Sequence, residues 1–135
     1  MGNFSSIDIS TSGLFAQRVR MDVIANNIAN ATTTRTESGG PYRKQEVIFR
    51  THSSDDGDKS GVEVEAIVES TDPPKMVYDP SNPDAGADGM VAMPDVNIME
   101  EMVDMIAATR AYEANVTAIN SARAMVAKAL EIGRG

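Results

Sequence analysis

The chain has 135 residues, 41% apolar but only 4% aromatic, with nine methionines and no tryptophan, which suits one modest, soft core that leans on helix packing. It has no cysteine and a single histidine, His52, so disulfides, thiolate metal sites and thiol catalysis are excluded and a histidine-based metal site or proton relay lacks its residues. The net charge of −8 is uneven: residues 1–50 carry six bases against four acids, residues 105–135 four against two, and residues 51–104 two bases against fourteen acids, a block that repels phosphate backbones, so no nucleic-acid partner is expected.

The first residues, Met1 to Ser6, lack the basic and apolar regions of a cleavable secretory signal. Gly2 with Ser6 fits an N-myristoylation pattern, but no base precedes Arg18 to supply a second membrane signal, and lipidation is not expected. No apolar run is long enough to span a membrane.

Residues 5–31 are predicted to form a helix. Ser5 and Asp8 make a capping-box-like start, and Ile7, Leu14, Met21 and Ile28 recur every seven residues with Ile24 between two of them. Ser10–Gly13 is a weak stretch, since Gly alone costs about 1 kcal/mol relative to Ala, so this helix needs a partner along its seam. Asn26, Asn27 and Asn30 are its oddest feature. Amides at a helix end compete for backbone bonds and tolerate a C-cap; amides at a helix interface specify register; both readings stand for this trio. Thr32–Thr34 and Gly39–Pro41 end the helix.

The middle, residues 32–94, changes period. Val62, Val64, Ala66 and Val68 alternate with Glu63, Glu65 and Glu69, the pattern of a half-buried strand. Residues 42–50 are its expected partner, with Val47 and Phe49 inward; residues 75–78 and 90–93 are shorter strand candidates. Thr51–Ser60, which holds His52 and the acidic tip Asp55–Asp58, is expected to be a polar connector. Asp79, Asn82, Asp84 and Asp88 could offer oxygen ligands to a cation, but their spacing does not fit a calcium loop and the prolines around them favour a rigid turn; no metal is expected.

Residues 95–133 are predicted to form a second, longer helix, capped by Asp95 or Asn97 and stopped at Gly133. Its seam, on alternating steps of four and three, holds Ile98, Met102, Met105, Thr109, Tyr112, Val116, Ile119, Arg123, Val126 and Leu130, the spacing of coiled-coil packing, with many alanines around it. The expected fold is mainly α: residues 1–31 and 95–135 form a coiled-coil-like helical hairpin, and residues 32–94 a small β-rich insert of three or four strands that is too small for a core of its own. Such a hairpin offers little concave space for paired carboxylates, and no P-loop, GxGxxG or GxSxG is present. No enzymatic activity, cofactor or small-molecule substrate is expected.

Residues 16–30, Ala-Gln-Arg-Val-Arg-Met-Asp-Val-Ile-Ala-Asn-Asn-Ile-Ala-Asn, resemble the N-terminal signature of the bacterial flagellar rod, hook and hook-associated proteins, and Tyr112-Glu113-Ala114-Asn115 with the alanine-rich helix after it resembles their C-terminal signature. Tyr78–Ala85, Asp88–Val91, Met93–Asn97, Glu101–Ile106 and Ala129–Gly133 narrow the resemblance to the proximal-rod members of that axial family, over residues 4–133. Asn82, Met90 and Asp95 depart from the family's commoner His, Tyr and Asn. The resemblance implies a structural subunit of the basal-body rod, self-associating in a helical assembly. It also implies contact with other rod proteins and with the junction protein between rod and membrane ring, and passage through the flagellar type III export apparatus without a cleaved signal. The assembly interface is then expected on Ile7, Leu14, Met21, Ile24, Asn26, Asn27, Ile28 and Asn30 of the first helix. On the second it is expected on Ile98, Met102, Met105, Tyr112, Asn115, Val116, Ile119, Val126 and Leu130. The competing reading is a soluble adaptor whose helical hairpin docks one partner helix.

Overall fold

The computed structural model describes residues 2–53 and 60–135, the side chains of residues 2–5, 53 and 60 excepted. Met1 of the lipidation pattern and the acidic tip Asp55–Asp58 lie outside the described residues. The elements are helix α1 (Gly2–Ala29), strands β1 (Gln45–Ser53), β2 (Ser60–Glu69), β3 (Lys75–Tyr78) and β4 (Met90–Met93), and helix α2 (Ile98–Arg134). Two long terminal helices pack together and four short strands lie between them in sequence, as the change of hydrophobic period requires.

Helix boundaries differ from expectation by a few residues. α1 begins at Gly2, so Ser5 lies within the helix and is not its cap. It closes at Ala29 through an Asn30 N–H bond to the Asn26 carbonyl (3.1 Å) and an Ala31 N–H bond to the Ile28 carbonyl (3.3 Å). α2 starts after Asn97, whose side-chain oxygen accepts from the N–H groups of Met99 (3.0 Å) and Glu100 (3.4 Å), two donors a helix start leaves unsatisfied. Gly133 does not stop it; the last turn runs to Arg134, and Gly135 N–H reaches the Ile132 carbonyl.

The strands form two separate two-stranded antiparallel sheets, β1–β2 and β3–β4. β1 begins at Gln45 rather than 42 and continues through His52, which faces Gly61 across the ladder instead of sitting in a loop. The register slips between Ile48 and Phe49, which pair with Ala66 and Val64, so Glu65 is a bulged residue. That extra residue breaks the clean alternation: Val47, Phe49, Val62, Val64 and Ala66 are half-buried as expected, but Glu63 is half-buried too, while Val68 is exposed. The β1–β2 hairpin lies along α1.

Between β3 and β4 the acidic residues are occupied by the turn itself. Asp88 accepts from Met90 N–H (3.1 Å), Asn82 from Asp84 N–H (2.9 Å), and Asp79 from the Ser81 hydroxyl (2.6 Å). Gly89 has φ +77 and sits where a Cβ would stand 2.7 Å from the Tyr78 ring, so only glycine fits. Asp84 also accepts from Thr34 (2.6 Å) and pairs with Arg35, which ties this turn to the segment leaving α1.

Candidate functional site: the helix interface and its polar clamp

The two helices run antiparallel and in step. Asn27 meets Glu101 near one end, and Gly13 lies against Asn115 farther along, fourteen residues away on each helix. Fourteen residues are two heptads, the repeat that keeps two helices facing each other. The contact line is not the expected one. On α2 the buried positions are Glu101, Ala108 and Ala122, with Asn115 half-buried between them, each seven from the next. On α1 they include Gly13, Ala16, Val23, Ile24 and Asn27. The buried line thus passes one residue before Met102, Thr109, Val116 and Arg123 on α2, and one before Leu14 and Ile28 on α1.

Residue size explains the offset. A Cβ on Gly13 would sit 2.8 Å from the Asn115 amide nitrogen, and Ala108 is fully buried. Small residues let the backbones approach, and the larger apolar residues are pushed to the flanks. Gly13, expected as a weak point, is therefore a seat for α2. Its neighbour Ser12 seats the hairpin: the hydroxyl accepts from Val62 N–H (3.1 Å) while donating to the Ile9 carbonyl (2.6 Å). Gly61 leaves room for that hydroxyl, which a Cβ there would meet at 2.7 Å.

A polar clamp closes the end of the pair. Asn27 and Glu101 are each only 1% exposed. The Asn27 amide donates to the Gln45 carbonyl (2.9 Å) and to Glu101 Oε2 (3.1 Å), and its oxygen accepts from Gln45 N–H (2.9 Å) and the Tyr42 hydroxyl (2.7 Å). Lys44 Nζ lies 3.0 Å from Glu101 Oε1. One asparagine thus fastens α1 to the first residue of β1 and to the first turn of α2, with its hydrogen-bonding capacity used. Burial pushes the Tyr42 hydroxyl above its ordinary pKa, and the charges of Glu101 and Glu69 add to this, against the bond from Asn26. At Lys44 burial disfavours the ammonium, but the bond to Glu101 and the surrounding carboxylates outweigh it, and the pKa is raised. A cleft of about 210 Å³ opens beside the clamp, floored by Val23 and Ile24 and rimmed by Arg20, Lys44, Glu46 and Asp104.

The expected interface residues fall into three places. Asn27 and Ile24 are buried inside the subunit. Ile7, Leu14, Met21, Ile28, Asn30, Met105, Tyr112, Val116, Ile119 and Val126 are half-buried beside the line of contact, and Asn115 is half-buried on it, against Gly13. Asn26, Ile98, Met102 and Leu130 are exposed. Asn30 is engaged locally, donating to the backbone and side chain of Asn26. The residues that sequence reasoning missed are Glu101 and Lys44, whose partnership spans 57 positions and leaves no periodic signal, and Gly13 and Ser12, read only as weakness.

Many large apolar side chains stay exposed. Among the described residues, four of the seven buried apolar side chains are alanines (Ala16, Ala31, Ala108, Ala122), which contribute little area each. Phe15 is 66% exposed, and Met99, Met102, Val103, Ile106, Met125, Leu130 and Ile132 are exposed along α2. A chain that spends its alanines inside and its large apolar residues outside is built to pack against other chains.

Two family models match the helical parts: "Flagella basal body rod protein" over residues 7–35, and "Flagellar basal body rod FlgEFG protein C-terminal" over residues 87–132. The chain is 47% identical to the flagellar basal-body rod protein FlgC of Borreliella burgdorferi over the full length of both. It is 43% identical to that of Bacillus subtilis and 39% to that of Salmonella typhimurium, over 99% of this chain and all of each relative. Helices that keep their seam small and leave their bulk exposed are what a subunit of a packed shaft requires, and the chain belongs to the FlgC family of flagellar basal-body rod proteins, structural and non-enzymatic.

Proposed function

We propose that this rod subunit polymerises through its terminal helices, residues 1–31 and 95–135, with residues 32–94 as an insert carried on them, into the drive shaft that transmits torque from the motor ring to the hook. Assembly with other rod proteins follows from the family. The finer partners we infer are the junction protein between rod and membrane ring, other copies of this chain, and the type III export apparatus that delivers it. The observation that carries this reading is the open apolar surface of both helices, Phe15 on α1 and the row from Met99 to Ile132 on α2, against an interior made largely of alanine. Burying such side chains contributes about 1.5–3 kcal/mol each, and only neighbouring subunits can supply that burial. The flank residues Ile7, Leu14, Met21 and Ile28 and the expected α2 positions extend the same surface.

Phe15→Asp tests it without disturbing the subunit, because Phe15 is mostly solvent-exposed. Circular dichroism and thermal unfolding of the purified chain should be unchanged, while a strain carrying only this variant should lack rods in isolated basal bodies and should not swim. Normal rods with Phe15→Asp would remove α1's outer face from the assembly.

A further inference from the structure

Helix α2 reaches the insert through one side chain. Among the described elements α2 packs closely on α1 and on none of the strands, while β1 and β2 both lie along α1. The insert's own ties run to α1: Tyr42 and Gln45 to Asn26 and Asn27, and Val62 to Ser12. Among the described residues, only the Lys44–Glu101 pair, at 3.0 Å, joins α2 directly to residues 32–94. Lys44 stands one residue before β1, so the hairpin carries the ammonium and α2 carries the carboxylate. Glu101 Oε2 accepts from the Asn27 amide, and Oε1 has no partner besides Lys44. A carboxylate only 1% exposed is costly without its counterion, so the two groups belong in place together or out together. The 210 Å³ cleft beside them, between Val23 and Ile24 of α1 and Glu46 and Val47 of β1, leaves the start of β1 room to shift.

We propose that the Lys44–Glu101 pair is a strap that couples the seating of the β1–β2 hairpin to the pairing of the two helices. The hairpin hangs loosely on α1 until α2 is in place, and is then drawn into one position. The coupling is reciprocal, so a seated hairpin holds α2 to α1 in return. A chain whose α2 is displaced therefore cannot present its insert, with the exposed Ile48, Ile67 and Val68, in a single attitude. The strap belongs to one chain and is tested without a rod.

The absence of cysteine lets spin labels be placed by substitution alone. Ile48→Cys with Asp8→Cys reports the hairpin against α1, and Asp8→Cys with Arg110→Cys reports the helix pair; all three native side chains are exposed. Distances between labels are read by double electron–electron resonance on the purified full chain. Both distributions should be narrow with the clamp intact. Lys44→Met with Glu101→Gln removes both charges together and leaves no buried ion. It should widen the hairpin distribution about twofold and leave the helix pair unchanged. Ala108→Leu, or Ala108→Val if the larger side chain prevents folding, wedges the helices apart at a fully buried position. With the clamp intact the wedge should widen both distributions together. In the Lys44→Met, Glu101→Gln background it should widen the helix pair and leave the hairpin as that background has it. A hairpin distribution of unchanged width in Lys44→Met with Glu101→Gln would overturn the strap, the ties to α1 then being sufficient. So would a wedge that widens only the helix pair while the clamp is intact. Either of those results leaves the rod-subunit reading as it stands.

Discussion

At Lys44 and Glu101 an ammonium and a carboxylate meet at 3.0 Å, with the carboxylate side chain 2% exposed. Removing the cation leaves a buried charge without its counterion, so Lys44→Met should lower stability by about 3 kcal/mol in urea unfolding, and adding Glu101→Gln to it should recover part of the loss. The pH dependence has a definite sign. The native pKa of Lys44 is raised above its ordinary 10.5, so its contribution is complete at neutral pH and is lost as the pH rises through the native value; Lys44→Met should abolish that alkaline loss. Gly13 gives a second residue-level test. Gly13→Ala should destabilise the chain while Asn115 is present, because the new methyl meets its amide at 2.8 Å, and should stabilise by about 1 kcal/mol in an Asn115→Ala background, where helix propensity alone decides. Asn27 was legible in the sequence only as an anomaly. Its partners, Gln45, Tyr42 and Glu101, are up to 74 positions away and share no period with it, so neither a helix-end nor a register reading could find the three-way junction it makes.

The β1–β2 hairpin as an element is held to α1 by a small number of bonds, which makes it separable in experiment. Ser12→Ala removes the acceptor for Val62 N–H, so the amide of Val62 should exchange faster with solvent while amides deep in α1 are unaffected. Across the hairpin, Arg50 is bonded to Glu63, and His52 lies 3.1 Å from the same carboxylate. The bond from Arg50 holds Glu63 below its ordinary 4.5, with the charges of Arg50 and His52 adding to it against desolvation. Its contribution is therefore present above that ordinary value and lost as the pH falls through the lowered one. Backbone resonances of β1 and β2 should move together in acid, and Glu63→Gln should remove that transition. The pairing of β1 with β2 and the candidate positions of β3 and β4 could be read from period and turn residues; the pairing of β3 with β4 in a sheet of their own could not. The bulge at Glu65 could not, because an inserted residue in one strand is visible only against its partner.

At the scale of the molecule the helical hairpin was legible from the seven-residue repeats, but the contact line was displaced, because the sequence pattern weights large apolar residues and the interface is built on small ones. Met105, Tyr112, Ile119 and Val126 stay half-buried beside that line. Ile119→Asp places a carboxylate there and should eliminate rods and swimming in a strain that carries no other copy of the gene. The paired contacts at Asn27–Glu101 and Gly13–Asn115 have a mechanical consequence. Two rods laid side by side bend easily if they can slide along each other, and stiffly if shear between them is blocked. A hydrogen bond at one end and a close-fitting seat fourteen residues away block that sliding at two points on each helix. The pair therefore flexes as one thick beam instead of two thin ones, and its rigidity comes from where the helices are pinned more than from how much surface they bury.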